Sequence, residues 1–199
     1  MRPREFDHDD VLRIAFEQFW RKGVRGTSLS DIARDAGVQR GSLYNAFGSK
    51  EALFLCAYER YASKYLSSLQ KALGSGTLRQ RLTAYFDSAI RNFRSGSPPR
   101  GCPTTRGLME LGSVEADGLD ENARQAFADL VARITALIQK TLSEGVERGE
   151  FNGDPAIAAL HIATVTRGLA VLERAFDDEA QLRTIAAHTV NLVLGKAGR

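Results

Sequence analysis

Residues 26–50 read GTSLSDIARDAGVQRGSLYNAFGSK. Leu29, Ile32, Ala33 and Ala36 recur at the spacing of one helix face, and Gly37 is a stop for that helix. Ser28 stands at its N-cap position, with Asp31 three residues on able to return a hydrogen bond, a variant of the capping box. A second short helix is expected from about Arg40 to Phe47, after which Gly48-Ser49 breaks the chain and caps the next segment.

Two helices this short, joined through a glycine, match a helix-turn-helix. In such a unit the first helix braces against the core and the second enters the major groove, so the second must present polar side chains outward. Val38, Leu43 and Phe47 can face inward, which leaves Gln39, Arg40, Ser42, Tyr44, Asn45 and Ala46 for DNA. From Ala36 to Lys50 there are two cations and no carboxylate, a locally positive window in a chain of mixed charge.

Outward from this stretch the chain reads as all-α, because apolar residues keep helical spacing and no run alternates as a half-buried strand would. Leu12, Phe16, Phe19 and Trp20 stripe a first helix that Gly23 stops. A long helix runs from Lys50 to about Leu73, and Gly74-Ser75-Gly76 turns the chain. Leu78, Leu82, Tyr85, Phe86, Ala89 and Phe93 mark the next helix. Ser95 to Gly101, with Pro98-Pro99, cannot continue it. A short helix follows over Pro103–Leu111, and a long stripe runs from Ala123 through Phe127, Leu130, Ile134, Leu137 and Ile138 to Leu142. Asn152-Gly153-Asp154-Pro155 supplies a stop, an N-cap and a proline at the first helical position. Leu182, Ile185, Ala186, Thr189, Leu192 and Val193 form the last helix. The division expected is residues 1–50 for DNA binding, 50–73 as a connecting helix, and 74–199 for ligand binding and dimerisation.

With 199 residues and 43% hydrophobic content the chain can bury a full core without disulfides. Cys56 and Cys102 are far apart and lack companions at ligand spacing, so neither a zinc site nor a disulfide framework is suggested. The N-terminus has no apolar signal core, and no stretch reads as long enough to span a bilayer, so a reducing cytoplasm is the expected location and no membrane partner is expected. No cofactor is implied. A net charge of +3 permits an anionic partner without demanding one. Residues 1–50 hold nine Lys/Arg against seven Asp/Glu, so placement of charge matters more than its sum.

Gly26-Thr27-Ser28, Asp31-Ile32-Ala33, Ala36-Gly37-Val38, Gly41-Ser42-Leu43-Tyr44 and Phe47 through Phe54 closely resemble the DNA-binding signature of the tetracycline-repressor (TetR) family. Ala15, Phe19 and Gly23 fall where that family's first helix places them. Ala46 departs from it, since many relatives carry histidine or tyrosine there. The resemblance implies base-edge contacts by Arg40 and Asn45, to guanine and adenine respectively. It implies phosphate or thymine-methyl contacts by Tyr44 and Ser42, and backbone contacts by Thr27 and by Lys50 at a helix start. Gln39 and Gly41 complete the DNA-facing set. Arg2 and Arg4 are candidates for a flexible arm on DNA.

The same resemblance implies a dimeric repressor that binds palindromic double-stranded operator DNA and is released by a small-molecule effector. Residues 156–172 are apolar nearly all round, as expected of a helix buried on both sides, one against its own core and the other against a partner. Small residues at Ala159, Ala163, Thr166 and Gly168 would let a partner helix approach, with Leu172 and Leu192 completing the homodimer interface. Phe86, Phe93, Met109, Glu110 and His161 are candidate effector-lining residues, with ordinary core or surface roles as the competing reading.

Cys102 follows Arg100-Gly101 at a helix start, where a cation and a helix N-terminus both stabilise thiolate, which makes it a candidate redox or electrophile sensor. A small cysteine that packs the start of a helix is the competing reading. Cys56, inside an apolar helix, is expected to be inert. Two further classes stand beside the regulator. In one, an enzyme would use Cys102 as nucleophile and His161 as base, but no orienting third residue or oxyanion motif is visible. In the other, a DNA-packaging protein would bind by phosphate neutralisation alone, which the modest net charge disfavours.

Overall fold

The computed structural model describes residues 7–96, 101–110 and 118–195, with the side chains of 110 and 118–120 left out. Among them the chain is helical and has no strand: α1 (His8–Lys22), α2 (Leu29–Asp35), α3 (Arg40–Phe47), α4 (Lys50–Ala72), α5 (Leu78–Phe93), α6 (Pro103–Glu110), α7 (Gly118–Glu147), α8 (Pro155–Phe176) and α9 (Glu179–Leu194). The candidate arm at Arg2 and Arg4 and the Pro98-Pro99 segment lie outside the described residues.

The helices begin where side chains can satisfy their first amides. Asp7 caps α1, Ser28 caps α2, and Asp154 caps α8 with Pro155 in the first turn. At Ser28 the hydroxyl accepts from the Asp31 amide at 3.1 Å and donates to the Asp31 carboxylate at 2.8 Å. Asp31 therefore closes the motif side chain to side chain. Gly37 ends α2 in the left-handed region (φ 66°), and the Val38 amide returns to the Ala33 carbonyl at 2.9 Å.

The chain divides into two compact units. The first contains α1–α3, α4 as far as Lys64 and α7 as far as Ala126. Its core is aromatic: Phe16 stacks on Tyr61 at 4.6 Å, and Phe19 meets Phe54 edge to face at 5.3 Å. Gln18, 2% exposed, donates to the Asp35 carboxylate and to the Asp31 carbonyl, joining α1 to α2. Arg60 on α4 grips Asp9 on α1 at 3.0 Å. These ties brace α2, which in turn packs on α3.

The second unit contains Tyr65–Glu110 and the chain from Phe127 onward. Here α5, α8 and α9 pack on one another, and α6 lies against α8. Gly107 sits where any Cβ would come within 2.3 Å of the Phe127 ring, so a side chain there would push α6 off α7. Arg81, almost fully buried, donates to the Leu73 carbonyl and to Glu144 on α7, each at 2.6 Å.

Two expectations are corrected in α8. By length and composition α8 could cross a bilayer, the one such helix among the described residues, whereas no such stretch was expected from the sequence. Within this chain the core side of α8 is buried and the side expected to face a partner is open, so the second correction falls on its small residues. Ala159, Ile162, Ala163, Thr166 and Leu169 face its own core, while Ile157 is 67% and Leu160 60% exposed. The small residues Ala159, Ala163 and Thr166 thus serve packing within the chain: the Thr166 hydroxyl lies 3.1 Å from the Tyr85 phenol oxygen. Gly168 and Leu192 are exposed, and Leu172 is half-buried.

Candidate nucleic-acid interface and effector cavity

In the first unit, α3 is anchored by Leu43, which is fully buried, and by half-buried Val38 and Phe47. Gln39, Arg40, Gly41, Tyr44, Asn45 and Ala46 are exposed, and Ser42 is half-buried. Tyr44 is 62% exposed, a large aromatic that this chain leaves uncovered. Gln39 makes no side-chain capping bond to the first turn of α3, and that turn carries no acidic residue. A helix start of this kind suits an external anion. A Cβ at Gly41 would meet nothing within 4 Å, and the backbone there is ordinary helix. Nothing in the chain's own packing requires a glycine at that position. Lys50, half-buried, opens α4 behind Ser49, whose hydroxyl accepts from the Ala52 amide at 3.0 Å.

Thr27 is the correction on this face. It is 2% exposed, and its hydroxyl is directed to the Gly23 carbonyl at 2.8 Å and the Gln18 carbonyl at 3.3 Å. It secures the turn between α1 and α2 and has no hydroxyl to offer a phosphate. Its neighbour Ser28 is exposed at the α2 N-terminus, with its hydroxyl engaged by Asp31.

In the second unit the candidate effector residues separate. Phe86 and Phe93 are 1% and 0% exposed and belong to the core. His161 is exposed on the outer side of α8 and is not among the residues that line the described cavity with Cys102. The Glu110 side chain lies outside the described ones. Cys102 and Met109 do come together, on the wall of a cavity of about 430 Å³ between α6 and α8.

Cys102 is 3% exposed and stands at the N-cap of α6, where its sulfur accepts from the Thr105 amide at 3.5 Å. The Arg167 guanidinium donates to the same sulfur at 3.3 Å and lies 5.9 Å from the centre of the Phe93 ring. Arg100 lies outside the described residues, and the guanidinium described at the sulfur comes from α8. Arg167 was missed in the sequence because its distance from Cys102 along the chain left no local pattern to read. Burial pushes the phenols of Tyr65 and Tyr85 up, with the Arg167 guanidinium opposing it at both. Both cysteines are thiols, and Cys56, expected to be inert, is exposed.

A braced short helix followed by a second that exposes a polar face defines a helix-turn-helix DNA-binding protein joined to a helical domain. Residues 11–57 match the family model described as bacterial regulatory proteins, tetR family, and residues 79–189 match the tetracyclin repressor-like C-terminal domain. The chain belongs to the TetR family of bacterial regulatory proteins. Its relatives include the HTH-type transcriptional repressor NemR of Escherichia coli, 29% identical with 95% of each chain covered. Another is the HTH-type transcriptional repressor ComR of the same organism, 25% identical over 96% of this chain and 90% of that one. Among solved structures, reduced E. coli NemR superposes with a TM-score of 0.84 at 24% identity, over 96% of this chain and 98% of that one. A cysteine mutant of the TetR family regulator CifR, complexed with 26 bp double-strand operator DNA, gives 0.83 at 26% identity over the same shares.

Proposed function

We propose that this chain is a homodimeric transcriptional repressor that binds a palindromic operator through α3 and is released by a small-molecule effector. The observation that carries the reading is the outward face of α3: Arg40, Tyr44 and Asn45 exposed on a helix pinned by Leu43. Arg40 and Asn45 have the chemistry to read guanine and adenine edges, Tyr44 and Ser42 to meet phosphate or a thymine methyl, and Lys50 to hold the backbone. Repression is the role named for NemR and ComR. The apolar outer face of α8 and α9, with Ile157, Leu160 and Leu192 exposed, supports a second copy as the covering partner, in a four-helix contact about a two-fold axis. DNA as partner puts the protein in the cytoplasm.

Selection of bound fragments from random DNA tests this reading. Recovery of an inverted repeat supports both symmetry and base reading. Recovery of sequences with no common pattern contradicts them.

A second reading concerns how release is triggered. We infer that Cys102 is a thiol switch, supported by the two donors on its sulfur and by its place on a cavity wall. Alkylation of a Cys56→Ser protein with iodoacetamide is expected to release operator, and the further Cys102→Ser change to prevent release. Operator retained by a protein fully alkylated at Cys102 would refute the switch.

A further inference from the structure

Gln18 on α1 carries a carboxamide in a residue only 2% exposed. Its amide nitrogen donates to two acceptors one turn apart on α2, the Asp31 carbonyl at 3.3 Å and the Asp35 carboxylate. Its amide oxygen accepts from Lys22 at 3.5 Å, and its backbone carbonyl accepts from the Thr27 hydroxyl at 3.3 Å in the turn between α1 and α2. The apolar grip on α2 is slight, since of its seven residues Ile32 and Ala33 alone are buried. Apolar contact is non-directional and tolerates rotation and sliding, whereas two hydrogen bonds from one planar amide restrict both.

The pose of α2 passes to α3 with little slack. The Val38 amide returns to the Ala33 carbonyl at 2.9 Å, and the Ser42 amide donates to the Gln39 carbonyl at 3.0 Å. Reading a base edge through paired hydrogen bonds needs side chains held to within about 0.5 Å. Attraction between cations and phosphates is far more forgiving.

We propose that Gln18 is a positioning residue for operator recognition: its buried carboxamide fixes α2, and through α2 the angle at which α3 meets the major groove. The proposal rests on the reading of α3 as the base-reading helix and adds the residue that aims it. Loss of the amide blunts discrimination among sequences and leaves phosphate-driven binding in place.

Fluorescence anisotropy at fixed salt tests this, with the duplex recovered by selection from random DNA and a scrambled duplex of the same composition. The ratio of the two affinities cancels any uniform change in charge. Gln18→Met keeps the side chain's length and removes both donors, and it is expected to lower that ratio at least about tenfold while affinity for the scrambled duplex holds. Gln18→Glu, which sets a second carboxylate against Asp35, is expected to lower it likewise. Asp35→Asn keeps an acceptor for Gln18 and is expected to be tolerated. Combined with Gln18→Glu it offers an N–H to the new carboxylate, and the restored link is expected to recover the ratio. Thermal melts show which variants are folded at the assay temperature, and where Gln18→Met is not, the exchanged pair decides. Three results each overturn the proposal: an unchanged ratio in folded Gln18→Met, equal losses on both duplexes, or no recovery in the exchanged pair. These fail the positioning role alone. A parent protein that holds the two duplexes equally well fails the proposed function, and the positioning role with it.

Discussion

The Arg167 guanidinium on α8 donates to the Cys102 sulfur at the start of α6 across 3.3 Å, while the Thr105 amide donates to it from the first turn of α6. One sulfur thereby joins two helices on the wall of the α6–α8 cavity. Losing the charged donor is worth about 1.5 kcal/mol, or roughly tenfold in rate, if the bond is made in the reacting state. In a Cys56→Ser background, Arg167→Met is expected to slow iodoacetamide alkylation of Cys102 at neutral pH by about that factor. Mass spectrometry of the time course checks this. Unchanged alkylation would show that Arg167 only packs there.

Gly41 separates fold from function. Its Cβ position is open and its backbone ordinary, so Gly41→Ala should leave stability unchanged or raise it by up to about 1 kcal/mol, the helix-propensity difference. Operator affinity should nevertheless fall, since a methyl there would stand between α3 and the duplex. Thermal melts and operator titrations on one preparation give both readouts.

The outer face of α8 is expected to be the dimer contact. Leu160→Glu places a charge on a residue 60% exposed in the single chain, so the fold should survive while the dimer weakens. Light scattering behind a sizing column should show a monomer with unaltered circular dichroism. A dimer that persists would move the interface elsewhere.

Acid sensitivity follows from Glu144. The Arg81 guanidinium beside it lowers its carboxyl below the ordinary value of 4.5. Its contribution to stability is therefore present above that value and lost as pH falls through the lowered one. Glu144→Gln should cost about 1–3 kcal/mol at pH 7, because Arg81 is left buried without its counter-charge. The gap to the parent protein should shrink steadily below about pH 4.5 in urea unfolding measurements.

What the sequence made legible was local. Ser28, Gly37 and Gly48 delimit α2 and α3 by backbone chemistry that acts within a few residues, and α3 forms over Arg40–Phe47 as its pattern predicts. Asp154-Pro155 likewise starts α8 where expected. What stayed hidden was the identity of each helix's neighbour. Periodicity says that Ala159 and Thr166 share a face but not that α5 covers it, so small residues of the chain's own core passed for a dimer seam. The resemblance assigns Thr27 to the DNA backbone, and the burial of its hydroxyl between two carbonyls follows only once the α1–α2 turn closes. Arg167 went unread since its meaning depends on α6, far away along the chain.

The most direct test of base reading by α3 is fluorescence anisotropy at fixed salt, with the selected operator and single-base variants of it. Arg40→Ala should cost about 1–3 kcal/mol on the parent operator and lose discrimination at one position of each half-site, while Lys50→Ala should weaken every duplex alike. Equal losses on all duplexes for Arg40→Ala, or an original protein that holds operator and scrambled DNA equally well, would contradict it.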